Sequence, residues 1–332
     1  MNNLPRLRLW VAGCAAALTL VACGGGGGGN ASTPAASTTD TGNAGGSAGT
    51  GAGTTTTVPA DPGAPALSGD IATDGLNWFN YRRAQIGVAA LTRNSLIDQA
   101  GLNHSNYQRL NNLVSHDEVA GKSGFTGADL SARLAQAGYT FPTNASRAYG
   151  EVISATSNKS GVFMAEELIT AIYHRFVVFE PMFKEFGGGA ATTSSGYTYF
   201  TTDFGARNGF GNGISGLVTW PYNGQTSVAP NFFSDYEEPD PVDGVNEVGY
   251  PVSVHANINA TVTVQSFTIQ QRGGSNLSVK LLSASADPKY TGESVAAIVP
   301  LTPLKSGTVY DVNFVGAVNG TAVSKTWSFT TK

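Results

Sequence analysis

A histidine and an arginine interrupt an otherwise apolar stretch in the middle of the chain. Residues 166–183 read EELITAIYHRFVVFEPMF, with His174 and Arg175 inside a run whose apolar spacing is that of a buried helix. Imidazole titrates near neutral pH and serves both as a general base and as a metal ligand. A buried helix tolerates such a pair when its end opens on a polar cleft, so the pair marks a candidate site.

Few other residues in this chain are of types that carry chemistry. The four histidines are at positions 104, 116, 174 and 255. His104 lies in a helix-like segment and His255 in a strand-like one, and both are interpreted as structural. With 19 Lys and Arg against 23 Asp and Glu and no basic block, the composition argues against a nucleic-acid partner.

The N-terminus predicts export and a lipid anchor. Two arginines precede an apolar segment, residues 9–21, that is too short to span a bilayer comfortably. Residues 20–23, LVAC, resemble a bacterial lipobox, in which residues 1–22 are removed as a signal peptide and Cys23 is acylated. The chain is therefore expected on the cell envelope, with Cys23 in a membrane. Gly24 after the cysteine resembles lipoproteins of the outer membrane; an ordinary cleaved signal peptide is the alternative.

Composition divides the rest of the chain into four segments. Residues 23–68 are rich in Gly, Ala, Ser and Thr and are expected to be a disordered tether. Residues 69–207 alternate helical and strand-like periods, which predicts a mixed α/β domain. Residues 208–247, rich in Gly, Pro, Asn and acids, are expected to be a connector. Residues 248–332 contain short β-branched runs in series, which predict an antiparallel β-sandwich.

The α/β segment must supply the elements that position the candidate site. Four helices are predicted: the first capped by Asp74, the second by Asn94 or Ser95, the third stopped by Gly138, and the fourth over residues 163–179. Two strand-like runs, YGEVISAT and GYTYFTTDFGA, lie between and after them.

Several separated motifs follow one another through this segment. They read, in order, LNWFNYRRAQIGVAALTRNSLIDQAGLNHS, VSHDEVAGKSGFTGADLSARLAQAGY, YGEVI, YHRFVVFEPMFKEFGGG and YTYFTTDFG. Together they resemble the bacterial branch of the CAP superfamily, the cysteine-rich secretory, antigen 5 and pathogenesis-related proteins with their SCP-like relatives. The resemblance covers roughly residues 74–205 and implies an α-β-α sandwich. The ending PLTPLKSGTVYDVNFVGAVNGTAVSKTWSFTT resembles bacterial immunoglobulin-like modules.

The resemblance implies a cleft that gathers two histidines and an acid. By motif, His116 is the first histidine, Glu151 the acid and His174 the second histidine. Two neutral imidazoles and a carboxylate are a recognised ligand set for zinc or another divalent metal, with an open position for water. Alternatively, Glu151 orients a histidine that acts as a general base, or the cleft is polar and free of metal.

The chain departs from the family pattern at two positions. Val152 stands where the family has Asn, and the second acid of the animal and plant members falls on Ala171. Glu167 is a candidate substitute, but in a continuous helix it would lie about 10.5 Å along the axis from His174. That separation is too long for a hydrogen bond unless the helix ends first.

Three functions fit these residues. The preferred one is a ligand-binding module for a small hydrophobic, glycan or peptide ligand, favoured by an aromatic run near the second histidine whose rings could equally belong to the core. The second is a metal-assisted hydrolase of peptide or cell-envelope bonds that uses His116, Glu151 and His174. The third is a non-catalytic surface scaffold or adhesin.

Overall fold

The structure, a computed structural model, describes residues 61–332 and the backbone of residues 17–23. Most of the predicted signal peptide and tether lies outside these residues, so cleavage, acylation of Cys23 and disorder of the tether stay predictions. Among the described residues, no helix is long and apolar enough to cross a membrane.

The first half of the described chain is a mixed α/β unit, as predicted. Its elements are β1 (Ala17–Cys23), α1 (Ile71–Gln85), β2 (Thr92–Arg93), α2 (Ser95–Asn111), α3 (Leu130–Gln136), β3 (Arg147–Thr156), α4 (Gly161–Thr170), α5 (Ile172–Val178), β4 (Glu185–Thr192) and β5 (Thr198–Ala206).

These strands form one five-stranded sheet with helices on both faces. The strand order is β1-β3-β5-β4-β2, with β1 parallel to β3, β2 parallel to β4 and the central pairs antiparallel. Helices α2 and α3 cover one face, where they enclose a small apolar cluster. Helices α1, α4 and α5 cover the other face and belong to the main hydrophobic core.

The helix termini follow the predicted cap chemistry, with one correction. Asn94 caps α2, as predicted, by accepting a hydrogen bond from the Leu96 amide at 3.0 Å. Helix α1 is capped by Asp70 and not by Asp74, since the helix begins four residues earlier than expected. The Asp74 carboxylate instead accepts hydrogen bonds from the amide and the hydroxyl of Ser68 at 2.6 and 2.7 Å. The incoming segment is thereby fixed to the first turn.

Helix α2 packs directly on the backbone of β4 because that strand carries three consecutive glycines. A Cβ atom on Gly187 would lie 2.2 Å from the Asp98 nitrogen, and one on Gly189 would lie 2.4 Å from the Leu102 Cα. Only glycine permits this approach, which closes the sheet against α2.

The second half of the described chain is built from short strands. They are β6 (Val218–Trp220), β7 (Asn231–Phe233), β8 (Glu247–Gly249), β9 (Val252–His255), β10 (Val262–Gln271), β11 (Val279–Ser283), β12 (Val295–Pro300), β13 (Val309–Val318) and β14 (Thr321–Thr330). One sheet has the order β10-β13-β14 and another the order β11-β12-β9-β6, while β7 pairs with β8. Strand β6 belongs to the predicted connector, yet it pairs with β9 inside a sandwich sheet.

One hydrophobic core joins the two halves of the chain. The rings of Phe179 and Trp220 lie 5.0 Å apart, and Phe176 meets His255 at 5.7 Å. The aromatic run near the second histidine therefore serves the core: its rings are at most 5% exposed, and they belong to Tyr173, Phe176, Phe179, Phe183 and Phe186.

Candidate functional site

The segment around His174 consists of two short helices and not of one long one. Helix α4 ends at Thr170 and α5 begins at Ile172, while Ala171 between them has an extended backbone with φ −66° and ψ 123°. The prediction of one helix over residues 163–179 is therefore corrected. The break also removes the objection that Glu167 and His174 are separated along a single helix axis.

Glu237 supplies the cap that the sequence of α5 lacks. Ala171 has no side chain that could cap the helix, and the Glu237 carboxylate accepts hydrogen bonds from the Ile172, Tyr173 and His174 amides at 2.8, 2.6 and 3.2 Å. A carboxylate on the first free amides of a helix is favoured by both hydrogen bonding and the helix dipole.

The same carboxylate orients the imidazole of His174. Glu237 Oε1 lies 2.9 Å from Nδ1, and both side chains are fully buried. Since a carboxylate oxygen accepts hydrogen bonds, Nδ1 is the nitrogen that donates in this contact. Within the described residues the buried Nε2 has no hydrogen-bond partner.

Arg175 ties the end of α4 to the β-sandwich. Its guanidinium donates to the carbonyls of Ile169 and Thr170 at 2.6 and 3.0 Å, which are among the free carbonyls at the end of α4. It also donates to the carbonyl of Pro251 at 2.7 Å. Arg175 thus satisfies free carbonyls on the α4 side of the break, and Glu237, the partner of His174, satisfies free amides on the α5 side. These contacts explain why two polar residues stand in an apolar run.

A cavity of about 700 Å³ opens beside this junction. Its walls are α4 and the start of α5, the end of β3 with residues 153–157, and residues 225–236 from the predicted connector. His174 lies in its wall, together with six aromatic residues: Phe163, Tyr197, Phe232, Phe233, Tyr236 and Tyr250. Cavities of this size and character are typical of sites for small organic ligands.

Two neighbouring glutamates of the cavity wall have different environments. Glu166 forms a two-point ion pair with Arg82 at 3.0 and 3.1 Å and accepts a hydrogen bond from Trp78 Nε1 at 2.6 Å. Glu167 accepts one hydrogen bond, from the Ser154 hydroxyl at 3.0 Å, and is exposed to the cavity. The surrounding protein atoms raise the pKa of Glu167, an effect that the Ser154 hydroxyl opposes.

His116 and Glu151, two of the three residues expected to share one cleft, meet in a second cluster. His116 Nδ1 lies 2.7 Å from Glu151 Oε1, and the buried Arg133 guanidinium donates to both Glu151 oxygens at 2.8 and 2.7 Å. Arg133 also donates to the His116 carbonyl at 2.6 Å. Glu151 and Arg133 have no exposed side-chain surface, and that of His116 is 14% exposed.

A further buried acid, Asp203 on β5, is paired directly with Glu151 on the neighbouring strand β3. Burial would raise the pKa of Glu151, but the Arg133 guanidinium, with His104 and His116, holds it well below its usual range. Burial and the negative charge of Glu151 raise the pKa of Asp203 well above its usual range. The fold therefore favours the negative charge on Glu151 over one on Asp203.

The structure brings together two of the three predicted site residues. His116 and Glu151 are in contact on the side of the sheet that α2 and α3 cover, whereas His174 lies on α5 and contacts Glu237. Among residues 61–332, no group of three or more His, Cys, Asp or Glu is arranged as a metal site. The zinc prediction with His116, Glu151 and His174 as ligands stays a prediction.

Strand β1 covers the outer edge of β3 beside both clusters. Its residues pair in register from Ala17 with Arg147 to Cys23 with Ile153, so that Val21 stands opposite Glu151. Cleavage before Cys23 would remove this pairing except at its last residue.

Sequence reasoning missed three participants: Arg133, Asp203 and Glu237. The alternating residues of the TTDFG segment predict a strand that contains Asp203. An acid within such a strand was the signal that a carboxyl group is buried there. Glu237 gave no such signal, because it lies 63 residues beyond His174 in a segment without periodicity. His104, interpreted as structural, is buried and bonded to Glu118 and to the Ser115 carbonyl at 2.8 and 2.7 Å.

Comparisons with known proteins gave only partial matches. No family model matches the sequence, and no curated protein matches it. An extracellular protein with an SCP domain from Bacillus anthracis str. Ames is 21% identical, with a TM-score of 0.34, over 40% of this chain and 39% of that one. An outer surface protein from Borrelia burgdorferi is 12% identical, with a TM-score of 0.33, over 40% of this chain and 89% of that one. The Bacillus match thus spans about two fifths of that protein's own length.

Proposed function

We propose that this chain is an exported, envelope-anchored member of the CAP superfamily that binds a small amphipathic ligand. The ordered motifs between residues 74 and 205 support the family, and they occur in a sheet with helices on both faces. The lipobox-like LVAC sequence supports an anchor at Cys23, and Gly24 after it supports a place in the outer membrane.

The observation that carries the binding function is the cavity beside His174. Its volume of about 700 Å³ is within the range of ligand sites, and it combines aromatic walls with a few polar groups. His174 lies in the cavity wall and is held by Glu237, and its buried Nε2 has no hydrogen-bond partner among the described residues. Rigid polar groups in an apolar cavity orient a ligand at little entropic cost.

Metal-assisted hydrolysis is the weaker candidate. It requires His174 to share a metal with His116 and Glu151, whereas the carboxylate that holds His174 is that of Glu237. Glu151 is itself held by Arg133 and His116.

A fluorescent apolar probe, N-phenyl-1-naphthylamine, tests the binding function. Full-length protein is titrated with the probe, and Ala229→Trp, which places a large ring in the cavity wall, serves as the blocked reference. Any partition of the probe into detergent is the same in both proteins, so the difference reports the cavity. The control Ala120→Trp changes an exposed residue away from it.

The proposal predicts one saturable site in the wild type and in Ala120→Trp, and at least a tenfold weaker site in Ala229→Trp. Identical titrations of all three proteins would overturn it.

A further inference from the structure

One acid in the cavity wall has no ion-pair partner among the described residues. Glu167 is exposed, lines the cavity and accepts a hydrogen bond from the Ser154 hydroxyl at 3.0 Å. His174, also in the wall, is buried, and its Nε2 has no hydrogen-bond partner among the described residues. A ligand that pairs with the Glu167 carboxylate must donate hydrogen bonds.

The cations in the wall do not offset Glu167. Arg82 is 6% exposed, lies 2.8 Å from Asp61 and is paired with Glu166 on two atoms. Its guanidinium also stacks on Trp78 at 4.7 Å. Lys332, the other cation of the wall, is exposed to solvent and makes no ion pair with Glu167 among the described residues. Glu167 is therefore the acid of the wall that remains available to a cation.

Aromatic rings complete a surface suited to an amphipathic cation. Phe163, Phe233 and Tyr236 line the cavity and are 39, 39 and 56% exposed. The rings of Phe233 and Tyr236 lie 5.5 Å apart. Such rings bind apolar chains and also attract a positive charge through their faces.

We infer that the ligand carries a protonated amino group, which the Glu167 carboxylate accepts, while its apolar part lies against the aromatic wall. This inference rests on the proposed binding function of the same cavity. An ammonium group has a positive charge, three donors and no acceptor, which complements the Glu167 carboxylate. A ligand whose polar end is a carboxylate or a phosphate would bring a like charge to Glu167.

Displacement of the bound N-phenyl-1-naphthylamine by 1-hexylamine and by 1-hexanol tests this inference. The two competitors share a chain and differ in the charge and donors of the head group. In the wild type at pH 8 the amine should displace the probe at a concentration at least tenfold lower than the alcohol does. Glu167→Gln should abolish that preference, which is the ratio of the two competitors measured on the same variant. Glu238→Gln, which changes an exposed acid, should keep it.

The pH dependence separates a charge effect from a structural one. Since the pKa of Glu167 is raised, the preference for the amine should weaken as the pH falls through that pKa and Glu167 becomes neutral. Equal displacement by amine and alcohol in the wild type, with the probe still bound, would overturn the inference and leave the binding function standing. Absence of probe binding would overturn both.

Discussion

At the residue scale, charge in the buried polar cluster is divided unequally between two acids. Glu151 is the partner of Arg133, whereas Asp203 stands opposite Glu151 on the neighbouring strand, where burial and that negative charge raise its pKa. Neighbouring carboxyl groups that cannot both ionise in one site behave in this way.

Matched amide substitutions test this assignment. Asp203→Asn keeps a neutral group of the same shape and should cost less than about 1 kcal/mol of unfolding free energy. Glu151→Gln leaves the Arg133 guanidinium buried without its counter-charge and should cost about 3–5 kcal/mol. Urea unfolding at pH 7 measures both values. Equal losses for the two variants would contradict the division of charge.

His255 is expected to make the unfolding free energy fall as the pH is lowered below 6.5. Burial, together with the positive charge of Arg175, lowers the pKa of His255 to about 3 from an ordinary value of 6.5. The unfolded chain gains a proton below pH 6.5 and the folded one does not, so this contribution is complete above pH 6.5 and is lost as the pH falls toward 3. The loss approaches about 1.4 kcal/mol per pH unit.

The His255→Gln variant should therefore lose less stability than the wild type between pH 6.5 and pH 4. The measurement is the unfolding free energy of both proteins at several pH values. Parallel curves would show that His255 titrates normally in the folded protein.

At the element scale, the junction of α4 and α5 joins two distant parts of the sequence. Helix α5 has no capping side chain at its own N-terminus. Glu237, which follows the sheet of the α/β unit in the sequence, provides the cap. The same carboxylate fixes the histidine of the cavity, so helix capping and site geometry depend on one residue.

Glu237→Gln tests this dual role. The variant loses the negative charge at three helix amides and at His174 Nδ1, and we expect a loss of about 1–3 kcal/mol in unfolding free energy. The matched control Glu238→Gln, which alters the next and exposed residue, should stay within about 0.5 kcal/mol of the wild type. Chemical denaturation provides the comparison. If Glu237→Gln is as stable as Glu238→Gln, the capping of α5 by Glu237 does not stabilise the protein.

The elements of the α/β unit could be predicted because their signals are local. Asn94 predicts the start of α2, and the alternating apolar residues of β3 and β5 predict strands. The contact between His116 and Glu151 followed from motifs. The break at Ala171 could not be predicted, because the groups that stabilise it, Glu237 and Pro251, are tertiary partners of residues in α5.

At the scale of the whole molecule, the β-sandwich and the α/β unit share a core and a cavity. Residues 225–236 form one wall of the cavity, and Arg175 reaches from α5 to the carbonyl before β9. The two halves therefore depend on each other for the site.

A chain that stops at residue 207 tests this dependence. The truncation exposes Phe176 and Phe179 and leaves the amides at the start of α5 without Glu237. We expect it to lose cooperative thermal unfolding, measured by circular dichroism against the full-length protein. A truncated chain that melts at the same temperature as the full chain would show that the α/β unit is independent.

The central claim is that the cavity beside His174 holds a ligand, and the most direct measurement is a crystal structure of the protein soaked with N-phenyl-1-naphthylamine. The account predicts density for one molecule between α4 and residues 225–236, in contact with the imidazole of His174 and the aromatic wall. Density bound elsewhere, with this cavity filled by water alone, would contradict it.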